Sequence, residues 1–383
     1  MSSSEQVFST RNSNAANPDA HNSGGAPDAA TQPIAIPPGA EGRVVIFAPS
    51  PELTVTIEDH AEAGDIHIHA GGQGVWQARM VRALGSNVTL CATFAGETGK
   101  VLQHLLDDEG IEFVAVKRAG LGAAYIHDRR DGDRREVIET AGDPLSRHDL
   151  DELYGITLRE GIESNVVLLS GPAGDHVLSP DVYRRLAADL RQHDCTVVVD
   201  LAGDRLDAAL EGGVDIVKTS HEELLADGRI EADEPDLIID AMRRIRDRGC
   251  DTVIVTRADA PLLMLSGEHL RTVTTPTMEI VDTRGAGDSF TAATAVGLAR
   301  GLPIEDAVVL GASAGALNVT RHGLGTGDAA SIHKFSKLVR VRPYGEPDGP
   351  AAGGGKSGDT SADTDAEHSE VAVSPGELAQ LTL

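Results

Sequence analysis

The sequence predicts an α/β protein with a parallel-rich central sheet, flanking helices and a small β-sheet lid. Three observations carry this. From residue 166 onward, short apolar runs alternate with helical patterns, the order expected of a parallel sheet covered on both faces. Ahead of that region, two segments alternate apolar and polar residues in the manner of half-exposed strands. Between residues 123 and 139, two further strand-like runs flank Arg130-Asp131-Gly132-Asp133, a hairpin signal.

In chain order, Arg43–Ala48 reads as a first buried strand, and Thr54–Asp59 and Asp65–Ala70 as lid strands. Val75–Leu84 is helical, Val88–Phe94 a strand and Gly99–Asp108 a helix, after which Ala123–His127 and Arg135–Glu139 complete the lid. The regular part has strands Val166–Ser170, Thr196–Asp200, Asp215–Lys218 and Thr252–Thr256, with helices near 180–193, 221–227 and 236–248. A strand-like approach, Met278–Val281, leads into helices near 286–300 and 304–319. Residues 43–343 are therefore taken as the folded domain. Residues 1–42, rich in Ser, Asn, Ala, Pro and Gly, and the acidic 344–383 lack the apolar pattern needed to offset ordering entropy and read as disordered tails.

At 383 residues with 40% apolar and 24% charged side chains, the chain can bury a sizeable core. No apolar run approaches the roughly 18 residues of a membrane span, and the N-terminus has no hydrophobic signal core, so a cytoplasmic protein is expected. Cys91, Cys195 and Cys250 match no zinc or CxxC spacing and are expected to be buried or idle thiols. The formal charge is -27, of which -17 falls on residues 43–343. Such a surface repels phosphate backbones and excludes a general nucleic-acid binder. Only 6 of the 33 basic residues are Lys, which fits a salt-adapted proteome and a GC-rich genome equally.

The strongest chemical signal is Asp282-Thr283-Arg284-Gly285-Ala286-Gly287-Asp288-Ser289-Phe290. Glycines let backbone N–H groups turn inward, and a helix N-terminus adds about half a positive charge, so this turn is an anion cradle. Asp288 at its end is placed to take a proton from an attacking hydroxyl during phosphoryl transfer. Spacing alone leaves the plainer reading of Asp288 as a first-turn helix acid open.

This segment resembles the C-terminal signature of the PfkB sugar-kinase family, which has the ribokinase-like fold. Four more motifs resemble that family in order: Ala48-Pro49-Ser50-Pro51-Glu52, Gly71-Gly72-Gln73-Gly74-Val75-Trp76-Gln77-Ala78, Ser170-Gly171, and Lys218-Thr219-Ser220-His221-Glu222-Glu223-Leu224. Within the family they are most similar to the branch of 1-phosphofructokinase and related hexose-phosphate kinases. The resemblance implies an ATP- and Mg²⁺-dependent kinase acting on a sugar or sugar-phosphate hydroxyl, with dimerisation through the lid. It implies Asp288 as base and Gly285, Ala286 and Gly287 as the anion hole. It implies Glu52, Gly71, Gly72, Gln73 and Trp76 at the sugar, and Lys218, Ser220, Thr256, Arg257, Gly315 and Asn318 at the nucleotide. Glu223 is implied for Mg²⁺ through water, with Asp200 a second candidate. Without the resemblance, Glu223 reads as a solvated helix acid and Asp200 as a strand-end turn residue.

Several positions depart from the family pattern. Gln73 stands where the 1-phosphofructokinases usually carry Lys, Trp76 where the signature has Asn, Glu52 where it has Asp, and Ser220 where it has Asn. Ala119–Ala124 offers no Arg to bind a substrate phosphate, which leaves Arg129, Arg130, Arg134 and Arg135 as substitutes. Those four are otherwise expected at a solvated hairpin tip, Trp76 in packing, and His67 and His69 on a half-exposed strand rather than on a metal. The alternatives to a sugar kinase are a catalytically weak sugar-binding or regulatory protein on the same fold, and a nucleoside kinase.

Overall fold

The structure, a computed structural model, describes residues 42–60, 63–174, 176–278, 283–319 and 327–346. The expected tails lie outside the described residues apart from Gly42 and Tyr344–Glu346, and so does the approach segment beyond Met278.

The chain opens with β1 (Arg43–Ala48), then β2 (Glu52–His60), β3 (Ala63–Gly71), α1 (Gln73–Ala83), β4 (Asn87–Ala95) and α2 (Gly96–Asp108). β5 (Glu112–Arg118), β6 (Ala123–Asp128), β7 (Arg135–Thr140) and α3 (Arg147–Ile162) follow. The regular alternation runs β8 (Val166–Ser170), α4 (Asp181–Gln192), β9 (Thr196–Asp200), α5 (Gly203–Gly212), β10 (Val214–Ser220), α6 (His221–Ala226), α7 (Pro235–Asp247) and β11 (Cys250–Arg257). β12 (Ala260–Ser266), β13 (His269–Thr274), α8 (Ala286–Ala299), α9 (Ile304–Asn318), α10 (Ala329–Ser336) and β14 (Arg340–Pro343) complete it.

These form a ten-stranded sheet in the order β14-β13-β12-β11-β10-β9-β8-β1-β4-β5 and a separate four-stranded sheet in the order β3-β2-β6-β7. The seven strands from β11 to β5 pair in parallel, while β12, β13 and β14 extend one edge antiparallel. The central strands carry continuous apolar runs, such as residues 44–48, 166–169 and 197–199, because both faces are covered. Val44 and Ile46 of β1 pack with α1, α8 and α9, whereas Val45 and Phe47 face α3 and α4. β8 divides the same way, with Leu168 on the first side and Leu169 on the second.

The fold is the expected one, with four strands and three helices the reading passed over. β5 alternates weakly between charged ends, and β12–β13 form a hairpin around Gly267. α5 is short and α10 sits beyond the segment at 320–326. α3 did carry a start signal, because Ser146 and Asp149 cap it reciprocally.

The lid has two unlike faces. Thr54, Thr56, His69, Tyr125 and His127 lie on one, and Val55, Ile57, Ile66, Ile68, Ile126 and Ile138 on the other, as period-two alternation requires. Ile66, Ile68 and Ile138 are more than half exposed, so the outer face is an apolar patch. The three cysteines are buried and unpaired, as expected. No described helix is long and apolar enough to cross a membrane.

Candidate active site

Among the parallel strands the direction of winding reverses between β1 and β8, and an open α/β sheet leaves a crevice outside the carboxyl ends of the strands at such a point. Ser170 ends β8, Asp200 ends β9 and Ser220 ends β10, so the polar residues that close these apolar strands collect at that crevice.

The start of α8 supplies its floor. Gly285 is the N-cap with φ 74°, a left-handed conformation that glycine adopts without strain, and no side chain caps the helix. The Ala286 N–H reaches the Thr283 carbonyl at 3.4 Å and the Ser289 N–H opens the helical ladder on Gly285 at 2.9 Å. Gly287 and Asp288 stand between them in the first turn, where amides have no intrahelical acceptor. Behind the turn, buried Asn318 donates from Nδ2 to the Arg284 carbonyl (2.8 Å) and accepts from Ser289 Oγ (3.1 Å). Gly315 packs against Ala286 so closely that a Cβ there would lie 3.0 Å from its carbonyl oxygen. Gly315 and Asn318, expected to line a nucleotide pocket, thus brace the turn from the helix α9 side.

Charge is concentrated beside this turn. Lys218 is buried on β10 and its Nζ lies 3.1 Å from Asp200 Oδ1. Thr291 Oγ1 donates to Asp200 Oδ2 at 2.8 Å. A Cβ on Gly287 would fall 2.7 Å from Lys218 Nζ, so the ammonium sits directly against the first turn of α8. Burial and the neighbouring Asp200 raise the Asp288 carboxyl to about 7, with Lys218 pulling the other way. Burial also raises Asp200, against the pull of Lys218. The Asp200, Asp288 and Glu223 carboxylates overcome the burial penalty on Lys218 and hold it firmly charged.

On the lid side, Gly72 is the N-cap of α1 with φ 90°, and a Cβ there would lie 3.4 Å from the Glu52 nitrogen. Glu52 pairs in register with Gly71, so Glu52, Gly71 and Gly72 come together as expected. Burial and Glu139 raise the Glu52 carboxyl to about 7, partly offset by Thr54 and Arg284. The Arg284 guanidinium lies 5.6 Å from the centre of the Tyr125 ring, which stacks on His127, so the lid reaches the turn before α8. Trp76 is half-buried in the first turn of α1.

Gln73, expected at the sugar, lies beside Asp288 and bonds inward. Its Oε1 accepts from the Gly171 N–H at 2.7 Å and its Nε2 donates to the Asp200 carbonyl at 3.2 Å. Both ends of its amide are therefore committed within the protein, tying α1 to β8 and β9. The hairpin-tip arginines Arg130 and Arg135 are exposed, as expected, and both pair with the buried carboxylate of Asp128, at 2.6 and 3.2 Å. Asp128 is covered, whereas Arg130 and Arg135 reach it from the exposed tip. Burial, together with the charges of Arg134 and Arg129 at the inner lid face, pushes the His127 imidazole down to about 4. His69 and His127 share Thr56 Oγ1, at 3.3 and 3.2 Å, and His67 pairs with Asp65 at 3.3 Å, which agrees with their reading as strand residues.

On the β10–β11 side, Ser220 and Glu223 form a capping box at the start of α6, with the Ser220 N–H donating to Glu223 Oε2 at 2.7 Å. Thr219 Oγ1 donates to the same oxygen at 3.2 Å, leaving Oε1 outside these bonds. Thr256 Oγ1 reaches the Thr219 carbonyl at 3.4 Å. Arg257 is held on Asp233 at 3.0 Å rather than turned toward β10. Among the described residues no three His, Cys, Asp or Glu side chains cluster to cage a metal ion. Mg²⁺ needs no such cage, since it keeps waters and takes one or two carboxylates together with substrate phosphates. The hard oxygen donors of Glu223 and Asp200 beside an anion cradle fit that requirement.

The sequence motifs do not single out Gln77, Thr291, Tyr125, His127 or Arg284, which the fold brings to this cleft. The signal for Gln77 was present: it follows Gln73 by four residues, and i, i+4 side chains share a helix face.

This arrangement of an uncapped glycine turn, a carboxyl in its first helical turn and a buried Lys–Asp pair suits positioning and charge stabilisation of a phosphoryl group. The chain is similar to 1-phosphofructokinase of Bacillus subtilis, with 27% identity over 294 residues, covering 74% of this chain and 93% of the relative. It is likewise 27% identical over 326 residues to an ATP-dependent 6-phosphofructokinase isozyme 2 of Mycobacterium tuberculosis, covering 81% and 93%. The crystal structure of phosphofructokinase-2 from Escherichia coli in complex with potassium superposes with a TM-score of 0.67 at 23% identity, covering 77% of this chain and 98% of that one. Residues 45–330 match the pfkB family carbohydrate kinase, and with the site geometry this shows that the chain belongs to that family and is a sugar kinase.

Proposed function

We propose that the enzyme transfers the γ-phosphoryl group of ATP to a hydroxyl of a hexose phosphate, with Asp288 as the base. The observation that carries this is the placement of Asp288 in the same uncapped first turn that presents the amide cradle, so base and cradle form one rigid unit. The acceptor hydroxyl gives its proton to Asp288 as its oxygen bonds to the γ-phosphorus, and the bond to the bridging oxygen of ADP breaks. Charge on the transferring oxygens meets the N–H groups of the Gly285–Gly287 turn and the helix dipole. Lys218, pressed against Gly287, adds a fixed positive charge behind them. Ser220 and Thr256 flank the nucleotide side, and Arg257 reaches it by leaving Asp233. Bound Mg²⁺ would neutralise phosphate charge, held through water by Glu223. Asp200, committed to Lys218 and Thr291, serves that ion less directly.

The acceptor lies between Asp288 and the pocket of Glu52, Gly71, Gly72 and Trp76. Arg134, which brings its charge to the inner lid face beside His127, is the candidate to meet a substrate phosphate. A charged hydrogen bond of about 1.5–3 kcal/mol corresponds to roughly a 10–100-fold change in affinity. Arg134→Ala is therefore expected to raise KM for the phosphosugar by that factor and to leave KM for ATP unchanged. The supporting measurement is ATP consumption over fructose 1-phosphate, fructose 6-phosphate, tagatose 6-phosphate, free hexoses, ribose and nucleosides. Turnover with an unphosphorylated sugar or a nucleoside alone would replace this reading with the second one, a neutral acceptor, which the internal bonds of Gln73 favour.

The apolar outer face of the lid supports a homodimer through that sheet, and three buried free thiols suit a reducing cytoplasm. Ile68→Asp places a charge in the middle of that face. Sedimentation is expected to show a dimer for the native chain and a monomer for the variant; a native monomer removes the lid as an interface.

A further inference from the structure

Gln77 of α1 is completely buried, and its amide lies where the two carboxylates of the site converge. Its Nε2 is 3.4 Å from Asp288 Oδ1 and 3.5 Å from Asp200 Oδ2. At its other end Ser170 Oγ donates to Gln77 Oε1, and the Ser170 carbonyl in turn accepts from Tyr183 OH at 2.9 Å. Ser170 and Tyr183 are as completely buried as Gln77. Ionised carboxylates accept only, so the amide nitrogen must face them and the amide oxygen must face Ser170. The orientation of Gln77 is thus fixed from both ends, by side chains on β8, β9 and α8.

We propose that Gln77 is a positioning residue for phosphoryl transfer, its amide, oriented by Ser170, holding Asp288 off the Asp200–Lys218 ion pair and in line with the acceptor. The inference rests on the reading of Asp288 as the base. Lys218 attracts both carboxylates. With a shared donor between them, Asp200 keeps the ammonium and Asp288 stays in the cleft. Without it, Asp288 keeps only its weaker tie to Gln73 and can turn toward Lys218, away from the acceptor hydroxyl.

Gln77→Met keeps the volume and removes the donor. A displacement of about 1 Å at a reacting group costs on the order of 10²-fold, so kcat is expected to fall roughly 10–100-fold. KM for ATP and for the acceptor should stay within about threefold, because no binding contact is touched. Ser170→Ala, which frees the amide without removing it, should lower kcat about 3–10-fold with the same KM pattern. In the Gln77→Met background Ser170→Ala should have no further effect on kcat, since it acts only through the amide. Unchanged kcat in Gln77→Met overturns the proposal. So does a full, multiplicative effect of Ser170→Ala in that background, which is what two independent packing defects give. Should Gln77→Met not fold, Ser170→Ala decides: a kcat loss at constant KM supports the proposal and native kcat overturns it. Asp288→Asn in the same assay separates the two levels, because native turnover there removes the base itself, whereas its loss alongside native turnover of Gln77→Met removes only the role of Gln77.

Discussion

Asp288→Asn is expected to lower kcat by about 10²–10⁴-fold, the usual range for loss of general-base assistance, with little change in KM for ATP. Asn keeps the shape and the place in the first turn of α8, so the amide cradle survives and only the proton acceptor is lost. The native enzyme should also show which state of Asp288 works. Its carboxyl is raised to about 7 by burial and by Asp200. A base must be ionised to accept a proton, so kcat should fall as the pH drops below about 7 and level off above it. The limb should be absent from the residual activity of Asp288→Asn. Near-native turnover in that variant, or an acid limb that persists in it, would show that the proton goes elsewhere.

How much of this was legible in the sequence follows from where each residue's partners lie along the chain. β1, β8 and β9 were readable because a strand covered on both faces carries an unbroken apolar run, a property it has without reference to its neighbours. The glycine turn was readable for a similar reason, since Gly285 needs its left-handed φ whatever surrounds it. The commitments of the polar and charged residues were not. Gln73 looked like a substrate contact, yet its bonds go to Gly171 and to Asp200, roughly a hundred residues and more away. Arg130 and Arg135 are solvated as expected, but nothing in a hairpin sequence says that Asp128 will be buried beneath them. Lys218 was assigned to the nucleotide through its motif, but its pairing with Asp200 depends on the parallel register of β9 and β10. Propensity and periodicity are local properties, while a salt bridge between strand ends is set only when the sheet forms.

That pairing gives the second large expected effect. Lys218→Met should destabilise the protein by about 3–5 kcal/mol near pH 7, the cost of leaving one member of a buried ion pair unpaired. At roughly 2–4 °C per kcal/mol for a domain of this scale, the melting temperature should fall by about 6–20 °C. The loss should depend on pH in a definite direction. Burial already raises Asp200 against the pull of Lys218, and removing the lysine removes that pull. Asp200 then binds its proton more tightly folded than unfolded. A carboxyl raised in this way penalises the folded state above its unfolded value of about 4, progressively until the folded pKa is passed. Lys218→Met should therefore approach native stability near pH 4–5 and fall furthest behind at pH 8. Adding Asp200→Asn should recover much of the loss at pH 8 by removing the stranded charge, while kcat stays low because the ammonium against Gly287 is gone. Equal destabilisation at pH 5 and pH 8, with no recovery in the double variant, would mean that Lys218 contributes packing rather than charge and that the Asp200 pair does not anchor the site.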